Sequence, residues 1–115
     1  MTKERLLSLA SLRREITRTK KRVAMLDKRK CLGEVGQAML SMERAALEGY
    51  LSRICREEKD ILDFVNNIED AKLREIFMLR YFDGVTSWQK VAFLVGEYDE
   101  SYIRRKHHAY LKKTT

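Results

Sequence analysis

The chain has 115 residues, of which 24 are Lys or Arg and 17 are Asp or Glu, so its net charge is +7. Hydrophobic residues make up 44% of the sequence, too large a share for a disordered tail, and the length allows one domain or one small domain with an appendage. The longest apolar run, residues 91–95, is far shorter than a bilayer span, so we expect no membrane segment and a cytoplasmic protein. The absence of Pro and the abundance of Leu, Lys, Arg and Glu predict an all-α fold.

Charge divides the chain into three blocks of alternating sign. The net charge is +8 in residues 1–33, −5 in residues 34–70 and +4 in residues 71–115. Because segments of opposite charge attract each other, we expect the first two blocks to lie side by side.

The first block has the apolar spacing of a coiled-coil-like helix. Steps of three and four residues connect six positions, one of them polar: Leu9, Leu12, Ile16, Thr19, Val23 and Leu26. Gly33 and Gly36 then predict that the helix breaks around residues 31–36, in a hairpin loop.

The second block contains a longer apolar stripe. Intervals of seven residues connect Leu40, Leu47, Ile54, Ile61 and Ile68. Such a long helix needs a partner that buries this stripe, and the simplest partner is the first helix folded back antiparallel. The acidic residues expected to face its basic side chains are Glu43, Glu48, Glu57, Asp60 and Asp63. We therefore predict that residues 1–68 form an antiparallel helical hairpin, an arm for oligomerisation or partner binding.

The third block is predicted to begin with a helix that Asp70 caps and that continues to about Phe82, followed by a left-handed residue at Gly84. Ser87, or Thr86 with Gln89 three residues on, then caps a short helix, which ends at Gly96.

Asp99 caps the final helix. A short helix, a turn with Gly and a longer helix follow the plan of a helix-turn-helix motif. Residues 69–115 are therefore predicted to form a helix-turn-helix DNA-binding domain.

The final helix has an apolar face around Ile103 and His107 and an opposite face rich in hydrogen-bond donors, as a helix in the DNA major groove requires. The candidate DNA-binding residues on this helix are Ser101, Tyr102, Arg104, Arg105, His108 and Lys112. Two further candidates, Ser87 and Lys90, lie at the start of the preceding short helix and would hold phosphates.

A resemblance to known proteins lies in the C-terminal half of the chain. Region 4 of sigma-70-type factors is similar to residues 79–92, LRYFDGVTSWQKVA, followed by LVG at 94–96. With SYIRRKH at 101–107, the segment more closely resembles phage-encoded sigma-like regulators of the ArpU and RinA type. The resemblance covers about residues 65–113 and implies a role in late-gene transcription in phages and prophages of Gram-positive bacteria.

The resulting prediction is a sequence-specific regulator that binds double-stranded DNA in a bacterial host cell. It would form a homodimer through the N-terminal helices, or use them to contact RNA polymerase or a phage protein. The alternatives are a DNA-packaging protein like a small terminase subunit and a helical protein-interaction adaptor. The basic residues 18–30 could also contact the DNA backbone, although pairing with the acidic second helix is the favoured explanation.

Catalysis is not expected, because the sequence has no Gly-rich phosphate loop, nucleophile elbow or metal-ligand cluster. No cofactor or metal is expected either. Cys31 and Cys55 lack partners at metal-binding spacing and are predicted to be reduced thiols.

Overall fold

The computed structural model describes residues 1–29 and 33–115 of the chain. Its α-helices are α1 (Lys3–Leu7), α2 (Leu9–Lys28), α3 (Glu34–Asn66), α4 (Ala71–Phe77), α5 (Trp88–Leu94) and α6 (Glu100–Thr114). A π-helical segment, Met78–Phe82, continues α4. The described residues contain no strand, which confirms the all-α prediction. Within these residues, no helix combines the length and the apolar character that a membrane crossing requires.

The described residues form two compact units. We call Met1–Ala10 together with Asp60–Thr115 the terminal unit, and Ser11–Lys59 the central unit. These bounds differ from the predicted division at residue 68, because Leu6 and Leu9 are buried in the terminal unit. The functional division into an arm and a DNA-binding domain stays a prediction.

The central unit contains most of α2 and α3. Leu12, Ile16, Thr19 and Leu26 of α2 are buried, as the three-and-four spacing predicts, whereas Val23 of the same row is half-buried. The Thr19 hydroxyl, the polar group of this row, donates to the Glu15 carbonyl at 2.8 Å, so its hydrogen bond is satisfied within the helix.

Two ion pairs join α2 to α3 within the central unit, and a third joins α3 to Arg29, the residue that follows α2. Arg13 pairs with Glu58 at 3.4 Å, Asp27 with Arg44 at 2.6 Å and Arg29 with Glu43 at 3.9 Å. The partners on α3 come in reverse chain order. Of the acidic residues predicted to face the basic helix, Glu43 does so, whereas Glu48 pairs with Arg44 of its own helix at 3.0 Å.

α3 begins earlier in the chain than the sequence predicts. Gly33 has a φ of 92°, a conformation that favours glycine, but α3 already begins at Glu34 and Gly36 lies inside it. The prediction that Gly36 breaks the helix is therefore wrong. A single glycine costs a helix only about 1 kcal/mol, which a helix of 33 residues tolerates. The rest of the predicted loop, residues 30–32, lies outside the described residues.

The terminal unit has a core of apolar side chains from every helix that contributes to it. Fully buried examples are Leu6, Ile61, Ile76, Val91 and Ile103, each at most 2% exposed. Leu6 precedes the predicted stripe of the first helix, so the sequence pattern missed it. α4 and α5 each pack against α6, which places the last helix across both.

The predicted helix from Asp70 to about Phe82 is present, but its last turn, Met78–Phe82, is π-helical. The Asp83 N–H donates to the Met78 carbonyl at 3.0 Å, five residues back, as in a π-helix. Gly84 follows with a φ of 71°, which confirms the predicted left-handed residue.

Candidate nucleic-acid interface

The turn between α5 and α6 is fixed by backbone hydrogen bonds. Gly96 has a φ of 78°, and its N–H donates to the Phe93 carbonyl at 3.2 Å. The Glu97 N–H donates to the Ala92 carbonyl at 2.8 Å. These two bonds form a Schellman motif, in which a left-handed glycine ends the helix. The predicted end of the short helix at Gly96 is confirmed.

Caps begin both helices as the sequence predicts. The Ser87 hydroxyl accepts from the Lys90 N–H at 3.3 Å, and the Asp99 carboxylate accepts from the Ser101 N–H at 2.9 Å. A capping side chain satisfies an N–H that the helix itself cannot pair. Local hydrogen bonding therefore fixes the first residues of α5 and α6.

Apolar packing holds α5 against α6. Val91 and Ala92 of α5 are at most 3% exposed, and Ile103 of α6 is fully buried. The small side chain of Ala92 lies among these contacts, as expected for helices that approach closely.

His107 anchors the inner face of α6. It is fully buried, and its Nε2 atom is hydrogen-bonded to the Tyr81 hydroxyl at 2.6 Å. Its ring lies 4.7 Å from that of Phe77 and 4.9 Å from that of Trp88. Burial lowers the pKa of His107 to about 3, and burial raises the pKa of Tyr81 to about 12. Both side chains are therefore neutral at physiological pH, and the prediction of a packed, hydrogen-bonded histidine is confirmed.

Ion pairs attach α6 and the preceding turn to α4. The Lys106 ammonium lies 2.6 Å from the carboxylate of Asp70, which also accepts from the N–H groups of Lys72 and Leu73 and so caps α4. The hydrogen bond from Lys106 lowers the pKa of Asp70 and raises that of Lys106. Glu97, in the turn, pairs with Lys72 of α4.

The outer face of α6 carries the predicted site residues. Five of them are exposed: Tyr102, Arg104, Arg105, His108 and Lys112. Ser101 is half-buried. The structure therefore brings five of the six predicted residues of α6 to the surface of one helix, opposite the buried row of Ile103, His107 and Leu111.

Contacts within α6 hold several of these side chains. Arg104 pairs with Glu100 at 3.6 Å, and Arg105 donates from Nε to the Ser101 carbonyl at 3.2 Å. His108 has its Nδ1 atom 2.6 Å from the Arg104 carbonyl, so the hydrogen bond to the helix backbone does not use its Nε2 atom. Arg105 and His108 can thus bind a ligand while their side chains stay attached to the helix backbone.

The start of α5 presents Ser87 and Lys90, both exposed, next to the aromatic side chain of Trp88. Trp88 is half-buried, and the Arg80 guanidinium lies over its ring at 4.2 Å. Arg80 also donates to the Thr86 carbonyl. A stacked, hydrogen-bonded arginine therefore fixes the segment that leads into α5.

Sequence reasoning missed Tyr81 and Asp70 as residues that position α6, and Arg80 as the residue that fixes the segment leading into α5. Asp70 and Lys106 are 36 positions apart, Tyr81 and His107 are 26 apart, and no helical spacing relates such pairs. Only its position on the apolar face of the helix indicated that His107 is buried.

Comparisons with protein-family models, with curated proteins and with solved structures found no match for this chain. In the part of the chain that the structure describes, no three His, Cys, Asp or Glu side chains are placed to hold a metal ion. Cys55 is a free thiol, and Cys31 lies outside the described residues.

Proposed function

We propose that the protein is a sequence-specific transcription regulator that binds double-stranded DNA through α5 and α6. In this proposal α5 and α6 form a helix-turn-helix motif, and α2 and α3 form a hairpin that serves as an arm. The observation that carries it is the outer face of α6, where Arg105, His108 and Lys112 are exposed while the opposite face is buried. A helix that reads a major groove needs such a row of donors on a firmly held backbone.

The resemblance of residues 79–107 to phage-encoded sigma-like regulators supports a role in the transcription of late genes in phages or prophages. Such a regulator would act in the cytoplasm of a bacterial host cell, by binding rather than catalysis. Arg105 and His108 would contact bases. Lys112 would face the groove beside them, and Ser87 and Lys90 at the start of α5 would contact phosphates.

Arg105→Ala is expected to relax sequence preference. A bidentate contact from Arg to guanine contributes about 1–3 kcal/mol of discrimination, so the variant should lose roughly 5- to 150-fold in affinity for its selected site. Its affinity for random duplexes should change little. The target site is first selected from a random duplex pool with the wild-type chain, and both affinities are then measured by fluorescence anisotropy at one fixed salt concentration.

Lys90→Ala is the matched control, because loss of a phosphate contact weakens all sequences alike and flattens the salt dependence. Equal losses on selected and random duplexes for Arg105→Ala would contradict the assignment of α6 as the reading helix. If the wild-type chain binds no duplex even at low salt, the adaptor alternative replaces the whole proposal.

An exposed apolar row on α3 supports the proposed homodimer. Val35, Met39 and Met42 are each at least 65% exposed, and steps of three and four continue the row to Ala46 and Gly49. When the rows of two copies pack antiparallel with the two Met42 side chains at the two-fold axis, Val35 of one copy lies opposite Gly49 of the other. Met39 then lies opposite Ala46. Large side chains then face small ones, and the same patch serves both copies, as a two-fold interface requires.

Met42→Glu is expected to convert the dimer to a monomer, because it places two like charges together at the two-fold axis. Light scattering of the full chain at micromolar concentration measures the mass. Leu7→Glu is the control, since Leu7 is an exposed apolar side chain of α1, 56% exposed, and lies outside the row. A monomeric wild-type chain would refute the dimer, and a ring of many copies would favour the DNA-packaging alternative.

A further inference from the structure

A row of basic residues runs along the side of α2 that faces away from its buried stripe. At 100° per residue, Arg14, Arg18, Lys21 and Lys28 lie within about 40° of one line, whereas Leu12, Ile16 and Thr19 lie on the opposite side. All four basic side chains are exposed. With a rise of about 1.5 Å per residue, the row is about 21 Å long.

These four cations are not neutralised by α3. The ion pairs to α3 use Arg13 and Asp27 of α2, which lie closer to the buried stripe, and Arg29, which follows the end of α2. Within residues 1–29 and 33–115, none of the four forms an ion pair within 4.0 Å. Attraction to the acidic α3 therefore accounts for the charged residues closer to the buried stripe. It does not account for the row of Arg14, Arg18, Lys21 and Lys28.

The chemistry of the row favours nucleic acid over other anionic partners. Met25 is the one large apolar side chain on this face among the described residues of α2, whereas a protein interface normally has an apolar centre and few Lys. A membrane-surface helix needs a free apolar face, and the apolar face of α2 is buried. Duplex DNA carries a phosphate charge about every 1.7 Å of its axis, so a row of this length can contact several phosphates.

We propose that the row Arg14, Arg18, Lys21 and Lys28 on α2 is a second DNA-binding surface, which contacts phosphates without regard to base sequence. This inference rests on the proposed function, because it assigns part of the same protein's DNA affinity to the central unit. The helix-turn-helix residues supply the sequence preference, and the α2 row adds affinity that is sensitive to salt.

The test compares two double variants of the full chain. R14Q/R18Q removes two charges from the row, and R53Q/R56Q removes two arginine charges from exposed positions of α3. Both variants have the same net charge and the same substitution chemistry. Binding to a random-sequence duplex and to the selected site is measured over a salt series, and circular dichroism checks that both remain helical.

We expect the slope of log K against log salt to become less negative by about 1.8 for R14Q/R18Q, since each phosphate contact contributes about −0.9. That change corresponds to an affinity about 60-fold lower at 0.1 M salt, on both duplexes alike. R53Q/R56Q should retain the wild-type slope.

Wild-type slopes for both variants, with site preference intact, would overturn the α2 inference and leave the proposed function standing. Equal slope changes for both variants would also overturn it, because net charge alone would then account for the effect. If R14Q/R18Q lost binding only to vesicles of anionic phospholipid, the row would belong to a membrane surface and the inference would be wrong. Absence of wild-type binding to any duplex would instead refute the proposed function itself.

Discussion

Phe77→Ala is expected to destabilise the terminal unit by about 3–5 kcal/mol. Phe77 is fully buried, and its ring lies 5.7 Å from those of Tyr81 and Tyr110 and 6.2 Å from that of Phe64. Truncation therefore leaves a cavity lined by large rings that cannot easily close. Because a domain is stable by only about 5–15 kcal/mol, this loss removes much of the total.

Urea unfolding followed by the fluorescence of Trp88 measures this effect. Phe93→Ala is the matched control, because Phe93 is 80% exposed and its truncation should change the free energy of unfolding by less than about 0.5 kcal/mol. If both variants unfolded at the same urea concentration as the wild type, the aromatic cluster would not be the core of this unit.

The second large effect is a loss of stability on acidification, caused by His107. Its pKa is lowered from 6.5 to about 3 in the folded protein, so between these values the unfolded chain binds a proton that the folded chain does not. The stabilisation is complete above about pH 6.5 and is lost as the pH falls toward 3. At pH 5 the loss is about 2 kcal/mol relative to pH 8.

The measurement is the free energy of unfolding in urea at pH 8 and pH 5. His107→Gln should remove most of the difference between the two pH values, whereas His108→Gln, at an exposed position, should retain it. Asp70 does not contribute in this window, since the stability that its lowered pKa provides is lost only near and below pH 3.8. The same pH dependence in wild type and His107→Gln would show that another group titrates on unfolding.

Local features of this fold were predictable from the sequence because their causes lie within a few residues. Asp70, Ser87 and Asp99 cap helices through N–H groups two or three positions away. The buried row of α2 follows directly from the three-and-four spacing of its side chains. The prediction for Gly36 was wrong because one glycine is a weak helix breaker when a long apolar stripe favours the helix.

The contacts that position α6 were not predictable, because they join distant parts of the chain. Neither composition nor periodicity relates Asp70 to Lys106 or Tyr81 to His107. The burial of Leu6 depends likewise on helices that follow about 60 residues later. The exposed donors of α6 could be identified without these contacts, but not the groups that hold that helix in place.

The division of the chain into units has a consequence for dissecting it experimentally. The terminal unit is assembled from two stretches, Met1–Ala10 and Asp60–Thr115, with the central unit between them in the sequence. A fragment that starts at residue 69 would omit Leu6, Ile61 and Val65 and uncover the apolar surfaces on which they rest. A minimal fragment for crystallisation is better made by replacing residues 11–59 with a short linker, so that both ends of the chain are retained.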